Sequence, residues 1–323
     1  MKQDLIKEYL EYIRSVKRYS TRTCSIYSDV LERFSAQSLD PSIPLEEQMT
    51  PVRIRNYEVY LMDDCNLGAR TVGQHLSVLS SFSGYLVRRG AIKSNPVHLV
   101  TRPKAEKRLP VFYREESMKE YLDATAHSAS EDELQILRSC ISPEGKVSSL
   151  AQEMYERRLR RLIVAMLYST GMRRAELISL DDGNFDLSLR EMHVLGKGGK
   201  MRDIPLTTFI CNEISLYIKA RDLFFPEKGP LLRTWSGKRL YPVFVDRAIK
   251  QELGSVASIT GRKSPHVLRH TLATELLDNG TDLNSIKELL GHSSLAATQV
   301  YTHNSIDKMR KVYASAHPRA KKQ

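Results

Sequence analysis

The segment LLGHSSLAATQVYTH, residues 289–303, contains a histidine, His292, and a tyrosine, Tyr301, that could take part in chemistry. A tyrosine phenol becomes a nucleophile when it loses its proton. Because its ordinary pKa is about 10, only about one phenol in a thousand is ionised at pH 7. Tyr301 is therefore either one more aromatic residue of a helix or a nucleophile that a base or strongly cationic surroundings must activate.

A second segment with candidate functional residues is STGMRRAELISL, residues 169–180. A turn at Gly171 is expected to end one helix, and Glu176 lies in the next, with Arg173 and Arg174 at the junction. The simplest interpretation is a pair of surface arginines followed by a capping glutamate. The functional alternative is that one guanidinium faces a phosphate and donates two hydrogen bonds to it.

The segment SPHVLRHTLATELL, residues 264–277, predicts a third candidate element, a helix. Ser264 is suited to the N-cap and Pro265 to the first turn. His266 and Arg269 have i, i+3 spacing, so they share a face of that helix. Such a pair at a helix start is either structural or part of an anion site. The leucines of the segment recur at helical spacing and are expected to form its buried face: Leu268, Leu272 and Leu276.

Zinc and nucleotide sites are two ligand classes that these motifs do not support. His266 and His270 have the spacing of a zinc-binding helix, but the HExxH pattern requires Glu where Val267 stands. The segment LGKGGK places Lys197 at the tip of a hairpin, where surface lysines are common. It does not match the Walker A pattern GxxxxGK(S/T), since Met201 follows its second lysine. No metal and no cofactor are expected.

Helices are expected to position most of these residues. The first hundred residues predict short amphipathic helices, as in DLIKEYLEYIRSV, with Ser20 suited to one N-cap and Gly90 to one C-cap. The second part is also mostly helical, but REMHVLGKGGKMRDIPL, residues 190–206, predicts a β-hairpin with a Gly-rich turn. The predicted fold class is therefore mainly α, with a small β-hairpin or sheet.

Two domains joined by a linker are indicated by PKAEKRLP, residues 103–110, in which two prolines bracket charged residues with almost nothing to bury. We expect a first domain over residues 1–104, a linker over 105–112 and a second domain over 113–323. Residues 126–157 are polar and irregular at SCISPEGKVSS, and their sequence assigns them no function.

The charge of the chain favours a polyanionic partner such as nucleic acid, because the formal net charge is +11. Residues 1–112 carry 17 Lys and Arg against 12 Asp and Glu, and the remainder carries 32 against 26, so both domains are net basic. Two basic domains could hold a duplex between them as a clamp. Scattered cysteines without CxxC spacing, an N-terminus unlike a signal peptide and the lack of an apolar run of about 18 residues predict a cytoplasmic protein without a membrane span.

The order of these candidates along the chain resembles that of the tyrosine recombinases. TGMRRAEL, the GKG turn, HVLRHTLAT and LLGHSSLAATQVYTH resemble the boxes of the bacterial Xer recombinases, over residues 113–315. The helical first domain resembles the SAM-like core-binding domain of that family, whereas residues 126–157 extend beyond its compact members. The resemblance implies a set of catalytic residues and one supporting residue: Arg173, Lys197, His266, Arg269, His292 and the nucleophile Tyr301, with Glu176 in support.

The chemistry that the resemblance implies is attack of Tyr301 on a DNA phosphodiester. In-line attack builds negative charge on the non-bridging oxygens of the phosphate. Arg173 and Arg269 would stabilise that charge, and His292 would add a hydrogen bond. Each such donor is typically worth about 3–4 kcal/mol.

Proton transfer in this reaction is assigned to two further groups. His266 is the candidate base for the phenol, and Lys197 is the candidate acid for the departing 5′-oxygen. The product would be a 3′-phosphotyrosine and a free 5′-hydroxyl. Since this linkage keeps much of the free energy of the diester, neither ATP nor a metal is required.

The function that the resemblance favours is site-specific recombination of duplex DNA through a Holliday junction, with an Xer-like role in resolving chromosome dimers. Within the family, the competing role is that of a mobile-element integrase or a DNA invertase. A first domain that ends at residue 104 leaves little room for an additional arm-site-binding domain, which favours the Xer-like role. Two further hypotheses are a helical DNA-binding protein without catalysis and a relaxing topoisomerase that uses the same groups on one strand.

The segment NSIDKMRKVYASAHPRAKKQ, residues 304–323, predicts a short helix with an apolar stripe formed by Ile306, Met309 and Tyr313. The stripe either folds back on its own domain or docks on a neighbouring protomer, as the Xer resemblance implies. Docking in trans would give a cyclic, head-to-tail contact that closes a ring. We therefore expect a homo- or hetero-tetramer of recombinase protomers on two DNA sites.

Overall fold

The chain forms two compact units, Met1–Arg108 and Leu109–Gln323. The computed structural model describes residues 2–38, 40, 42–104, 111–142, 146–196 and 199–291. Most of the expected linker and the expected C-terminal helix lie outside these ranges. Within them, no helix combines the length and the apolar character that crossing a bilayer requires.

The first unit consists of helices around one apolar core. Its elements are α1 (Lys2–Ser15), α2 (Thr21–Ser38), α3 (Leu45–Gln48), α4 (Pro51–Asp63), α5 (Ala69–Arg88) and a 3-10 turn (Pro96–Leu99). Ser20 caps α2 as predicted, because its Oγ accepts a hydrogen bond from the N–H of Thr23 at 3.2 Å. Gly90 follows the end of α5 with a φ of 72°, the left-handed conformation expected of a glycine at this position.

The second unit is also mainly helical. Its elements are α6 (Glu115–Ala124), α7 (Glu131–Ser139), α8 (Ser149–Thr170), α9 (Arg174–Ser179), β1 (Phe185–Asp186), β2 (Glu191–Leu195), β3 (Met201–Pro205), α10 (Thr208–Arg221), α11 (Pro242–Gly254), α12 (Pro265–Asp278) and α13 (Leu283–Leu290), with 3-10 turns at Ala126–Ala129 and Asp182–Asn184. The predicted class, mainly α with a small sheet, is confirmed.

Helix α8 is the centre of the second core, and α10, α11 and α12 pack around it. Every residue from Arg161 to Thr170 is buried, as in a helix surrounded by other elements. Arg161 donates two hydrogen bonds to Glu213 of α10, from Nε at 3.1 Å and from Nη2 at 2.7 Å. A buried guanidinium is tolerated there because its charge is paired and its N–H groups are bonded.

The small sheet is antiparallel, in the order β1-β2-β3. Strands β2 and β3 pair in the register Glu191↔Pro205 to Leu195↔Met201, which confirms the predicted hairpin. Strand β1 was not predicted. It adds only the two pairs that Phe185 and Asp186 form with β2, and a strand of two residues has no alternation that a sequence can reveal.

The polar stretch 126–157 is more regular than its sequence suggests. It contains α7 and the first turns of α8, and a short β-bridge between Ile141 and Val147 occupies the stretch between them. Leu134 and Leu137 of α7 bury against Ala220 of α10. Few apolar residues suffice here because α7 needs to cover only the edge of the core.

The start of α12 differs in one detail from the prediction. Pro265 is its first residue, as expected, and Ser264 occupies the N-cap position. The Ser264 hydroxyl does not cap the helix, however. Among the described residues its buried Oγ has no hydrogen-bond partner, and the cap prediction for this side chain is wrong.

Helix α8 ends at a glycine that the fold requires. Gly171 has a φ of 60°, and a Cβ at this position would lie 2.5 Å from Leu290 Cδ2 and 3.0 Å from Leu272 Cδ2. The chain therefore turns from α8 into α9 in direct contact with α12 and α13. The predicted turn at Gly171 is confirmed, and its tight packing explains why no side chain fits there.

Replacement of Gly171 by alanine is expected to destabilise the second unit. The left-handed φ and the two close contacts should together cost about 1–3 kcal/mol of unfolding free energy. Urea titration followed by the fluorescence of Trp235, the one tryptophan of the chain, measures this unit. Gly254→Ala is the control, because a methyl group there meets no atom within 4 Å. Equal midpoints for the two variants would contradict the packing argument.

A buried carboxyl group gives the second unit a pH-dependent stability. Glu275 of α12 accepts a hydrogen bond from Tyr168 Oη at 3.1 Å. Its Oε2 is buried and has no partner among the described residues. Burial raises the pKa of Glu275 to about 8. The hydrogen bond from Tyr168 lowers this pKa, and the negative charge of Glu115 raises it by a smaller amount. The folded protein therefore holds a proton here that the unfolded chain releases.

We expect Glu275→Gln to stabilise the protein at pH 8 and to lose this advantage as the pH falls to about 4.5. Between the unfolded pKa and the folded pKa, each pH unit costs the wild type up to about 1.4 kcal/mol, because the unfolded state is ionised and the folded state is not. Urea titration by Trp235 fluorescence between pH 5 and pH 8 measures the difference. The exposed Glu153→Gln serves as the control, and a difference independent of pH would contradict the prediction.

Candidate functional site

Arg173 and Glu176 form the start of α9. Arg173 is the N-cap residue. Its backbone N–H donates to Glu176 Oε2 at 2.7 Å, and its Nη1 donates to Glu176 Oε1 at 2.7 Å. Glu176 is thus a capping glutamate, as one interpretation of the sequence held. The Arg173 side chain is 30% exposed, so its guanidinium also reaches the surface.

Arg202 of β3 belongs to the same cluster, although it was not predicted from the sequence. Its Nη1 and Nη2 donate to the two carboxylate oxygens of Glu176 at 3.0 Å and 2.8 Å. The signal that could have revealed it is the two-residue period of the strand. Ile204 faces the core, so Arg202 faces the same way, and an arginine on a buried strand face requires an acidic partner.

Three arginines meet at the C-terminal end of α13. Each of the consecutive carbonyl groups of residues 289–291 accepts one guanidinium N–H. The donors, in order, are Arg202 at 3.1 Å, Arg269 at 2.6 Å and Arg173 at 2.7 Å. The last carbonyls of a helix have no partner within the helix and carry partial negative charge. The end of α13 is therefore held by side chains from three separate elements.

Arg269 lies in α12 and is 7% exposed. Its Nη1 donates to the carbonyl of Gly171 at 2.6 Å, which ties α12 to the turn between α8 and α9. Burial lowers the pKa of Arg269 to about 10, and the positive charge of the nearby Arg173 is the second cause of this shift. Because this value is still about three units above neutral pH, the group remains a cation.

The cluster has an excess of positive charge. Among the described residues, the three guanidiniums of Arg173, Arg202 and Arg269 face one carboxylate, so this part of the cluster carries two more positive than negative charges. Burial acts to raise the pKa of Glu176, but the hydrogen bonds from Arg202 and Arg173 outweigh it, and the pKa lies below its ordinary value. A site of this charge with forked donors is suited to an oxyanion such as a phosphate group.

His266 is the second residue of α12 and is exposed. It precedes the buried Arg269 by about one helical turn, so the imidazole lies at the open end of the face that carries the guanidinium. In this position it is accessible to a bound molecule. Among the described residues, no group of three His, Cys, Asp or Glu side chains is placed to hold a metal ion.

The predicted site residues thus fall into two groups. The structure brings together Arg173, Arg269 and Glu176, with His266 on the same helix as Arg269. The others lie outside the described residues: Lys197, His292 and Tyr301.

Two glycines next to the cluster border the undescribed stretches. Gly196 precedes Lys197, and a Cβ on it would lie 3.4 Å from Arg202 Nη1. Gly291 precedes His292, and a Cβ on it would lie 3.2 Å from Arg202 Cδ. Both glycines, each the last described residue before such a stretch, therefore lie beside Arg202.

Two family models match the chain. The Phage integrase family matches residues 143–308, and the N-terminal SAM-like domain of phage integrases matches residues 6–90. The first match alone includes the whole arginine cluster.

Full-length relatives and a solved structure agree with these matches. The chain is 36% identical to the tyrosine recombinase XerC of Bacillus pumilus, over 99% of this chain and 98% of the relative. It is 31% identical to the XerC of Chlorobaculum parvum, over 98% and 94%. The integrase of the transposon Tn1549, solved with a circular intermediate DNA, has the same fold, with a TM-score of 0.64, 17% identity and coverage of 95% of this chain and 98% of that one. The expected resemblance is confirmed: the chain belongs to the phage integrase family, and it is a site-specific DNA recombinase of the tyrosine type.

Proposed function

We propose that this recombinase cuts and rejoins duplex DNA through a covalent 3′-phosphotyrosyl intermediate on Tyr301. The observation that carries the proposal is the convergence of Arg173 and Arg269 in a cluster whose described residues carry two more positive than negative charges. A scissile phosphate is the anion that such a pair of guanidiniums fits best. Its two non-bridging oxygens can each accept hydrogen bonds from a separate arginine.

Arg173 and Arg269 stabilise the charge that develops on the phosphate during attack. Their positions are fixed before DNA binds, by Glu176 and by the carbonyls of Gly171, Leu290 and Gly291. Donors that are already oriented need no reorganisation when the charge appears. This support for Arg173 and Arg269 comes from contacts of described residues alone.

The remaining steps are assigned to groups whose roles the resemblance to the tyrosine recombinases implies. Tyr301 Oη attacks the phosphorus, His266 takes the phenolic proton, and His292 donates a hydrogen bond to a non-bridging oxygen. The bond from phosphorus to the 5′-oxygen breaks, and Lys197 protonates that oxygen. The exposure of His266 and its place on the helix of Arg269 support its role.

The reverse reaction joins strands. The phosphotyrosine is still a diester, so the 5′-hydroxyl of another strand can attack it at little cost in free energy, and the reaction needs no ATP. Exchange of one strand pair gives a Holliday junction, and exchange of the second pair completes recombination. A relaxing topoisomerase would return the same strand, so strand transfer between two DNA sites distinguishes the two activities.

The biological role that we propose is Xer-like resolution of chromosome dimers, with the protein in the cytoplasm, where bacterial chromosomes lie. The support is the similarity, over nearly the full chain, to relatives named XerC. Integration or inversion of a mobile element is the second candidate, since the Tn1549 integrase has the same fold. Mapping covalent adducts on genomic DNA discriminates the two roles, because a dimer-resolution site is a single chromosomal locus.

We further propose that four protomers, of this chain alone or with a related partner, assemble on two DNA sites. The apolar stripe of residues 304–323 would dock on the neighbouring protomer and couple assembly to the position of Tyr301. Activity would then wait for the complete assembly, which limits cleavage by single protomers.

Tyr301→Phe tests the nucleophile. The substitution removes one oxygen and little volume, so DNA binding should be nearly unchanged, whereas no covalent adduct should form on a nicked suicide substrate. Denaturing gel electrophoresis after incubation measures the adduct, and the exposed Tyr241→Phe, outside the arginine cluster and the apolar stripe, is the matched control that should still form it. A denaturant-resistant adduct with Tyr301→Phe would refute the assignment. Absence of an adduct with the wild type would favour a DNA-binding protein without catalysis.

Truncation after Asn304 tests the assembly. The shortened protein should still bind a single half-site, but cooperative filling of the full site and recombination should both be lost. Gel-shift titrations on half and full sites measure the cooperativity. A variant in which Lys308, Arg310 and Lys311 are changed to Gln is the control, because it removes the basic face and keeps the apolar stripe. Unchanged cooperativity after truncation would mean that the helix folds back on its own domain.

A further inference from the structure

Arg202 makes contacts that join three elements of the second unit. From β3 it reaches Glu176 of α9 with two hydrogen bonds and the carbonyl of Leu289 at the end of α13 with a third, at 3.1 Å. Its side chain is 6% exposed and that of Glu176 is 4% exposed, so water competes little for these bonds. A displacement of the hairpin would therefore break buried, charge-assisted hydrogen bonds.

The hairpin places Arg202 close to the base of its own turn. The N–H of Gly196 donates to the carbonyl of Lys200 at 2.7 Å, which closes the turn. A Cβ on Gly196 would lie 3.4 Å from Arg202 Nη1 and 3.8 Å from Glu176 Oε1. Lys197 is the next residue in the sequence, so Arg202 lies close to the last described residue before the proposed acid.

A second pair in the same unit shows what a purely structural arginine looks like. Arg161 and Glu213 are also buried, and they form a contact of two hydrogen bonds, from Nε at 3.1 Å and from Nη2 at 2.7 Å. Arg161 also donates hydrogen bonds to the carbonyl of Leu122 and to the hydroxyl of Thr125, and neither residue belongs to the arginine cluster. Along α8, Arg161 lies about 14 Å from the end of the helix where the cluster begins, at 1.5 Å for each residue.

We propose that Arg202 is a positioning residue for the leaving-group side of the reaction: it fixes the β2–β3 hairpin, and with it Lys197, against Glu176 and the end of α13. The inference rests on the proposed function, in which Lys197 protonates the departing 5′-oxygen. The contacts of Arg202 would then be the cause of the placement of that acid. A lysine at position 202 keeps a positive charge near Glu176 but cannot form the fork and the bond to Leu289 together.

The experiment compares Arg202→Lys with Arg161→Lys in the full chain. Cleavage of a nicked suicide substrate is measured in single turnover with saturating protein, so that DNA affinity does not enter the rate. Each variant is assayed on the ordinary diester and on a substrate with sulfur in place of the bridging 5′-oxygen. On the sulfur substrate, attack by Tyr301 breaks the P–S bond and the sulfur leaves as a thiolate, which needs no proton. Lys197→Ala and Arg173→Ala are assayed in parallel.

On the ordinary diester, Arg202→Lys is expected to cleave about 100-fold more slowly than the wild type, because a displacement of about 1 Å in a catalytic group has an effect of this size. On the sulfur substrate most of this loss should disappear, as for Lys197→Ala, whereas the loss in Arg173→Ala should remain. Arg161→Lys should cleave both substrates at the wild-type rate well below its melting temperature. In the double variant Arg202→Lys with Lys197→Ala, the two losses should not add.

Three outcomes would overturn the inference. If Arg202→Lys loses activity equally on both substrates while Lys197→Ala is rescued, Arg202 acts through the phosphate clamp instead, and the proposed function stands. If Arg202→Lys is as active as Arg161→Lys, its contacts are structural only. If Lys197→Ala is not rescued, the proposed acid is wrong and the inference falls with it. Should Arg202→Lys not fold, as judged by Trp235 fluorescence, Arg202→Met replaces it under the same criteria.

Discussion

The carboxylate of Glu176 is the contact on which the functional site depends. It lies between the guanidiniums of Arg173 and Arg202 and also accepts the backbone N–H that starts α9. Without it, cations from two elements would lie close together in a largely buried space, where repulsion is poorly screened. One side chain therefore sets the start of a helix, the position of a strand and the orientation of an arginine that we assign to the phosphate.

The end of α13 completes this arrangement. Its last carbonyls accept one N–H each from Arg202, Arg269 and Arg173, so the helix terminus and the cations stabilise one another. A guanidinium has five N–H groups, and the bonds to carbonyls fix its plane and still leave donors for a ligand. The donors proposed for the phosphate are thus oriented by the fold rather than by the substrate, which is the condition for electrostatic catalysis.

Residue types and spacing were enough to predict the helical class and the hairpin, whereas the roles expected of Arg173, Glu176 and Arg269 came from the resemblance of their motifs to those of the tyrosine recombinases. Arg202 was missed, since its partner is distant in sequence and only the fold brings the two together. The same holds for the carbonyls of α13, which have no side-chain signature. The cap expected of Ser264 was wrong because burial in the fold, and not local preference, decides where that hydroxyl lies.

The excess of positive charge has an energetic consequence for the protein without DNA. Burial, and to a smaller extent the neighbouring arginines, lower the pKa of Arg269, which means that the folded state holds this cation at a cost in free energy. A phosphate bound there, as proposed, would supply negative charge and remove part of that cost. In the proposed function, the groups that destabilise the free protein would strengthen DNA binding, most of all when the phosphate gains charge in the transition state.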